Sequence, residues 1–291
     1  MRPPDEAIAR TAFAKVNLAL HVTGRRPDGY HLLDTLAVFA DIGDDLRFVS
    51  AEALSLEVTG IFSAEVPRGP DNLILRAAEA LAAECPDRRR RGAAIFVRKE
   101  LPAGAGLGGG SADAAATLLA LCELWECDCR TERLVELATK LGADVPMALF
   151  SKGLRAGGIG EDIRVLPDMP PLPMVLAWPA RPVSTARVFS ALASHDGAGL
   201  PEMPEGLADV AAVADYLAAT DNHLQGAAME IEPAIEEAIR LLEETPALMA
   251  RMSGSGSACF ALYRDEQAAD AAAEALREER PNWWVRAAVA S

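Results

Sequence analysis

The sequence predicts an α+β protein of two domains, and three observations carry that reading. Strand-like and helix-like stretches are mixed along the chain with no repeat at a period of roughly 20 to 50 residues. A glycine loop at residues 102–110 runs straight into an alanine-rich helix. A proline-rich stretch from Pro167 to Pro173 breaks the pattern and sets the boundary between an N-terminal domain, residues 1–166, and a C-terminal domain, residues 167–291. With 291 residues the chain is long enough for one large or two ordinary domains with real cores.

The elements follow in order. Residues 11–22 alternate as a strand should, with Ala14, Val16, Leu18, Leu20 and Val22 on one face and Lys15, Asn17, Ala19 and His21 on the other, so Lys15 and Asn17 point the same way. A turn spans Gly24 to Gly29. Strand-like pieces follow at residues 30–41, 46–49 and 54–58, then a helix over 73–85, a strand over 93–99, the glycine loop, and helices over 112–125 and 131–141. Past the boundary come a strand at 174–178, a helix near 186–193 and an acidic loop through Pro204. Helices at 207–219 and 231–244, a strand at 259–263, a helix at 266–279 and a last strand at 283–289 complete a small α+β sandwich.

The loop carries the chemistry. Pro102-Ala103-Gly104-Ala105-Gly106-Leu107-Gly108-Gly109-Gly110-Ser111-Ala112 holds five glycines. They let successive backbone N–H groups turn toward one point, and the free amides and positive dipole end of the following helix favour an anion there. Ser111 either caps that helix or turns its hydroxyl toward a phosphate or metal. Gly104-x-Gly106-x-x-Gly109 satisfies the dinucleotide fingerprint, but five glycines make such a match nearly unavoidable. The acidic residue expected on a second strand about twenty positions on is missing, since Glu123 and Glu126 fall in or just after the helix. No Gly-Lys-Ser/Thr follows, so this is no Walker A loop. A structural turn seldom needs so many glycines, which puts phosphate binding ahead of it.

Composition narrows the setting. Lys and Arg number 28 against 43 Asp and Glu, a formal charge of −15, which argues against a sequence-independent grip on nucleic acid and assigns any phosphate to a local site. The Arg88 to Arg91 run reads as a solvated loop. The five cysteines, Cys85, Cys122, Cys127, Cys129 and Cys259, are odd in number and lack zinc-ligand spacing, so they are expected to be reduced thiols of a cytoplasmic protein. Residues 1–6 have no apolar core of a signal peptide, and no apolar run reaches membrane-spanning length.

The loop from Pro102 to Ala116 resembles the central motif of the GHMP small-molecule kinases. Ala14-Lys15-Val16-Asn17-Leu18 near the start and Ser253-Gly254-Ser255-Gly256-Ser257 near the end match that family's flanking motifs. Thr23-Gly24-Arg25-Arg26-Pro27-Asp28-Gly29-Tyr30-His31 and Leu141-Gly142-Ala143-Asp144-Val145-Pro146 are similar to the branch that acts on a cytidine-diphosphate-linked methylerythritol. The likeness covers nearly the whole chain and is weakest over residues 194–216. It implies a ribosomal protein S5 domain 2-like N-terminal domain, a ferredoxin-like C-terminal domain, and phosphorylation of the acceptor's 2-hydroxyl by ATP, with Mg²⁺. By position it implies Lys15 and Asp144 as the catalytic pair, and residues Pro102 to Ala112 around the ATP phosphates. Asn72 and Lys99 would lie near the adenosine, and Asn17, Tyr30, His31, Thr185 and Phe189 at the acceptor.

Phosphoryl transfer needs an aligned hydroxyl, neutralised oxygens and an acceptor for the alcohol proton, which suits this set. Asp144 takes the proton; Lys15 keeps it ionised and orients the hydroxyl. With no dense carboxylate cluster, Mg²⁺ is expected to have few protein ligands. Each residue also has a plainer role. Asp144, two residues before Pro146, would by itself be a helix N-cap, Lys15 a solvent-facing lysine, Tyr30 and Phe189 core or edge aromatics, and Ser253 to Ser257 a flexible turn. His31 would read a base edge. Asn222-His223-Leu224-Gln225 stands where the family resemblance calls for Asn-Asp-Leu-Glu, so no role follows for the two missing acids. The alternatives are a homoserine or mevalonate type of kinase, a catalytically idle nucleotide sensor on the same fold, and a dinucleotide-dependent oxidoreductase.

Overall fold

A computed structural model describes residues 7–85, 92–204 and 206–291. The Arg88 to Arg91 run and residues 1–6 lie outside the described residues. The chain forms two compact units, each discontinuous. The first takes Met1–Ala14, Ile42–Ala103 and Gly108–Ser151, and the second takes Lys15–Asp41, Gly104–Leu107 and Lys152–Ser291. A single cut at residues 166 and 167 does not describe this division, because two long strands, β1 (Ile8–Arg25) and β2 (His31–Ser50), run through both units. The pieces expected separately at 30–41 and 46–49 are thus one strand.

In the first unit, β4 (Ala93–Arg98) lies between the end of β2, antiparallel with Phe48 opposite Ile95, and β3 (Ser55–Thr59), parallel with Leu56 opposite Ile95. Alternation along β4 buries Ala93, Ile95 and Val97 and exposes Phe96. Four helices, α1 (Leu73–Glu84), α2 (Gly109–Leu124), α3 (Thr131–Leu141) and α4 (Val145–Ala148), pack on one another. Helix α2 has no polar face: Ala112, Ala114, Ala115, Ala116, Leu118, Ala120 and Leu121 are all buried, the signature of a helix enclosed on every side. Helix α3 shows the opposite pattern, burying Leu134, Leu137, Ala138 and Leu141 at helical spacing.

The expectation of five reduced thiols fails in this unit. Cys85, at the C-terminal cap of α1, is joined to Cys127 in a disulfide with Cα atoms 5.6 Å apart, while Cys122, Cys129 and Cys259 are thiols. Spacing arguments weigh neighbours in sequence, and this pair, 42 positions apart, is made adjacent by the packing of α1 against α2 and α3.

In the second unit, β7 (Leu172–Trp178), β8 (Met249–Met252), β9 (Cys259–Leu262) and β10 (Trp284–Ala290) pair antiparallel in the order β10-β7-β9-β8. Helix α8 (Ala234–Glu243) packs on β8 and β9, and α9 (Glu266–Glu279) on β7 and β10. Counted in sequence, with α8 as the first helix, this is a split βαββαβ unit, the ferredoxin-like arrangement. Leu241, Ile235, Val175, Ala261, Tyr263, Leu276 and Val285 share its core. Three helices precede α8: α5 (Thr185–Ser190), α6 (Val210–Leu217) and α7 (Gln225–Ile231). The helix expected over 231–244 starts later because Pro233 sits at its N-cap position, and β8 with the hairpin β5 (Leu154–Gly158) and β6 (Asp162–Val165) was not foreseen. Among the described residues no helix is long and apolar enough to cross a membrane.

Candidate functional site

In the second unit, three sequence motifs meet. Lys15 and Asn17 lie on β1, and the Lys15 backbone N–H donates to the Leu107 carbonyl at 2.9 Å. The Asn17 N–H donates to Ser253 Oγ (3.1 Å), Ser253 Oγ donates to the Gly106 carbonyl (3.3 Å), and the Ala258 N–H donates to the Ala105 carbonyl (2.8 Å). Gly106 has φ +79°, and a Cβ there would lie 2.7 Å from the Ser253 carbonyl oxygen, so only glycine lets the two backbones close to this distance. The glycine-serine segment at 253–257 is therefore a wall against the loop, not a free turn.

Neither Lys15 nor Asn17 faces solvent as an alternating strand would suggest: Lys15 is 4% exposed and Asn17 1%. Asn17 Nδ2 donates to Thr35 Oγ1 (2.8 Å), which donates onward to the Ala19 carbonyl (2.7 Å). Its Oδ1 is buried without a partner among the described residues. A buried acceptor left unmatched costs stability, and such a group marks a place where a ligand donor fits.

What replaces the missing acids is structural. Asn222 Nδ2 donates to the carbonyls of both Met252 and Gly254 at 2.8 Å, while its Oδ1 accepts from the Leu224 N–H and Gln225 Oε1 accepts from the Met252 N–H. His223 Nδ1 accepts from the Val22 N–H at 3.0 Å, and its ring stacks on His21 at 4.1 Å. Burial, then the neighbouring His21, lowers the His223 pKa, which keeps that acceptor nitrogen unprotonated. The segment holds the 252–254 strand end and β1 in place.

The acceptor-side residues divide. His31 stacks on Phe189 with ring centroids 4.7 Å apart, and His31 Nε2 lies 3.1 Å from Nδ1 of His195. Burial and the nearby His195 and Arg25 hold the His31 pKa below its usual value. His195 was missed in the sequence, and nothing local marks it: it is 164 positions from His31. Tyr30 is 58% exposed on the turn before β2 and is not part of this stack. Thr185, the first residue of α5, has its Oγ1 2.8 Å from Ser255 Oγ, which ties it to the glycine-serine wall.

In the first unit, Gly108 sits at the N-cap of α2 in the left-handed region (φ 67°) and offers no side-chain cap. The first amides of a helix have no intrahelical partner, so Gly109, Gly110 and Ser111 present N–H groups at the loop. Leaving those amides uncapped suits an anion. Asp144 precedes α4 with a helical backbone and makes no capping hydrogen bond to it, so the plain N-cap role fails. Asn72 takes that role at α1: Oδ1 accepts from the Ile74 N–H (2.8 Å) and Leu75 N–H (3.3 Å), and Nδ2 donates to the Pro67 carbonyl.

Lys99 is also committed. Its Nζ pairs with Asp44 and, at 2.6 Å, with Asp113, all three buried. Asp44 Oδ1 accepts from the N–H groups of Glu100 and Leu101. The lysine thus links the chain entering the glycine loop, held by Asp44, to α2 leaving it, through Asp113. Burial works against the charged lysine, but Asp113 and Asp44 outweigh it and raise its pKa. Burial and the second carboxylate push Asp113 up to about 7, against the pull of Lys99. Through these partners both side chains shape the ground around the loop.

Comparison with known proteins places this geometry. The family model described as GHMP kinases N terminal domain matches residues 72–152, and the one described as GHMP kinases C terminal matches residues 205–282. A protein of Cereibacter sphaeroides (strain ATCC 17025 / ATH 2.4.3) described as 4-diphosphocytidyl-2-C-methyl-D-erythritol kinase is 48% identical over 290 residues, 97% of this chain and 98% of its own. A crystal structure of a 4-(cytidine 5'-diphospho)-2C-methyl-D-erythritol kinase matches with a TM-score of 0.81 and 36% identity, over 98% of this chain and 99% of the other. The homoserine kinase of Cytophaga hutchinsonii, at 18% identity and a TM-score of 0.72 over 100% of this chain and 96% of its own, shares the fold alone.

Proposed function

Because the chain belongs to the GHMP kinases, we propose that it transfers the γ-phosphoryl group of ATP to the 2-hydroxyl of 4-diphosphocytidyl-2-C-methyl-D-erythritol, a step of non-mevalonate isoprenoid precursor biosynthesis. It is a small-molecule kinase with an alcohol acceptor. The observation that carries the acceptor is the His31–Phe189 stack with His195 behind it, a polar-edged aromatic surface that suits a pyrimidine and has no use for an acceptor without a base.

In this reading the N–H groups at the start of α2 and the loop from Pro102 to Ala112 hold the phosphates. Asp144 accepts the proton of the 2-hydroxyl as its oxygen attacks, and Lys15 orients that hydroxyl and favours the ionised carboxylate. Asn17 Oδ1 receives a hydroxyl of the acceptor, Thr185 lines the same side, and Tyr30 supplies an exposed ring for the base. Asn72 and Lys99 border the adenosine by position. Mg²⁺ supplies neutralisation of phosphate charge when bound. The ion would be carried mainly by phosphate and water, and the Ser111 hydroxyl would face either a phosphate or the metal. The reaction belongs to the cytoplasm and needs no nucleic-acid partner.

The test is a panel of acceptors with ATP and Mg²⁺ scored for ADP release. Turnover is expected with the cytidine compound and little with mevalonate or homoserine. Robust turnover of homoserine with none of the cytidine compound would overturn the acceptor and leave only the family.

A further inference from the structure

Four of the five cysteines are gathered at one place in the first unit, away from the glycine loop. The Cys85–Cys127 disulfide links the end of α1 to the turn between α2 and α3, and both residues are buried. Cys129, half-buried on that turn, has its sulfur 3.6 Å from the sulfur of Cys127. Cys127 is already bonded and has no S–H, so Cys129 is the donor of that contact. Cys122, at the last turn of α2, interacts in turn with Cys129; burial and that neighbour push its thiol up to about 12, so it stays protonated beside Cys129. A tight backbone turn fixes the set: the Cys127 N–H donates to the Cys122 carbonyl, and the Cys129 N–H to the Cys127 carbonyl, both at 2.9 Å.

We infer that these four residues form a thiol–disulfide exchange centre in which Cys129 is the accessible sulfur and an external dithiol is the reaction partner. The buried disulfide offers a large reductant little access, whereas Cys129 reaches it from within. The Cys129 thiolate attacks Cys127 Sγ; the Cys127–Cys129 bond forms, the Cys127–Cys85 bond breaks, and the electron pair leaves on Cys85, which takes up a proton as Cys129 has given one up. No net oxidation occurs in this step. One thiolate of the dithiol then attacks Cys129 Sγ and releases Cys127. Its second thiolate closes on the first, freeing Cys129, so the dithiol is oxidised by two electrons and the centre is left as four thiols. The inference concerns the first unit alone and does not rest on the kinase reading.

The intact protein is oxidised, quenched by alkylation under denaturing conditions and mapped by peptide mass spectrometry. Expected are a Cys85–Cys127 form and a second form with Cys127–Cys129 paired and Cys85 alkylated. Cys129→Ser and Cys129→Ala are expected to slow reduction by dithiothreitol by about tenfold or more, because the internal nucleophile is gone. The wild-type map is independent of any folding defect in the variants. Full alkylation of Cys85 and Cys127 after oxidation without reductant, or reduction of folded Cys129→Ser at the parental rate, would overturn the inference.

Discussion

At Asp144 a cap and a base give opposite outcomes for one substitution. Asn is as good an N-cap as Asp, so a capping role predicts near-parental turnover for Asp144→Asn. A base predicts a folded protein that binds both substrates and loses on the order of 10² to 10⁴ in kcat, read by steady-state ADP release. Lys15→Ala is expected to lose rate as well, and the double variant little more than the worse single one, because the two act on the same hydroxyl. On the acceptor side, His31→Ala and Phe189→Ala are expected to raise the KM for the cytidine compound while ATP affinity stays near parental, since base recognition is remote from the transferred phosphate. Equal losses for both substrates in titration calorimetry would contradict that placement. The motifs around Lys15, Gly106 and Asp144 were legible in the sequence. The burial of Lys15 and Asn17 was not, because alternation reports two faces of a strand and not what a distant segment such as 253–257 lays over one of them.

The loop and the helix it opens are one device at the scale of elements. Gly108→Val places a β-branched residue at φ 67°, a strained backbone that also crowds the helix N-terminus. Calorimetry and thermal melting together are expected to show ATP binding weakened far more than folding is disturbed; normal binding by a normally melting variant would reduce the loop to a turn. Beneath it, Asp113 makes stability depend on pH. Folded, its carboxyl holds a proton up to about pH 7, against 3.8 for an ordinary aspartate, so the folded state binds more protons across that window. Its contribution is then full below the lower value and is lost as pH rises through the upper one. Asp113→Asn removes that titration, and melts taken between pH 4 and 8 are expected to lose the corresponding part of their slope, the parent keeping it. Most helices were legible by periodicity to within a few residues, α3 at its own ends, but α7 was not. The ion triad joining β4 to α2 was not, because Asp44, Lys99 and Asp113 become neighbours only when strand and helix pack.

For the whole molecule, two domains were expected and two units are found; the ferredoxin-like half was implied by the family resemblance, while the succession of strands and helices read after Pro173 lacked β8. The interleaving of the units was not legible, since alternation along β1 and along the two pieces of β2 says nothing of what their ends pack against. The cysteines mislead in the same way. The disulfide between Cys85 and Cys127 closes a covalent ring around β4, the glycine loop and α2. In the chain-entropy treatment a ring of this length withholds about 4 kcal/mol of freedom from the unfolded chain, so dithiol treatment is expected to lower the melting temperature. The ring also makes the molecule topologically tolerant of a break. A single protease cut in the glycine loop would yield two fragments that migrate as one species without reductant, and any share that separates without reductant measures the fraction of molecules whose Cys85–Cys127 bridge has been opened, by exchange or by reduction.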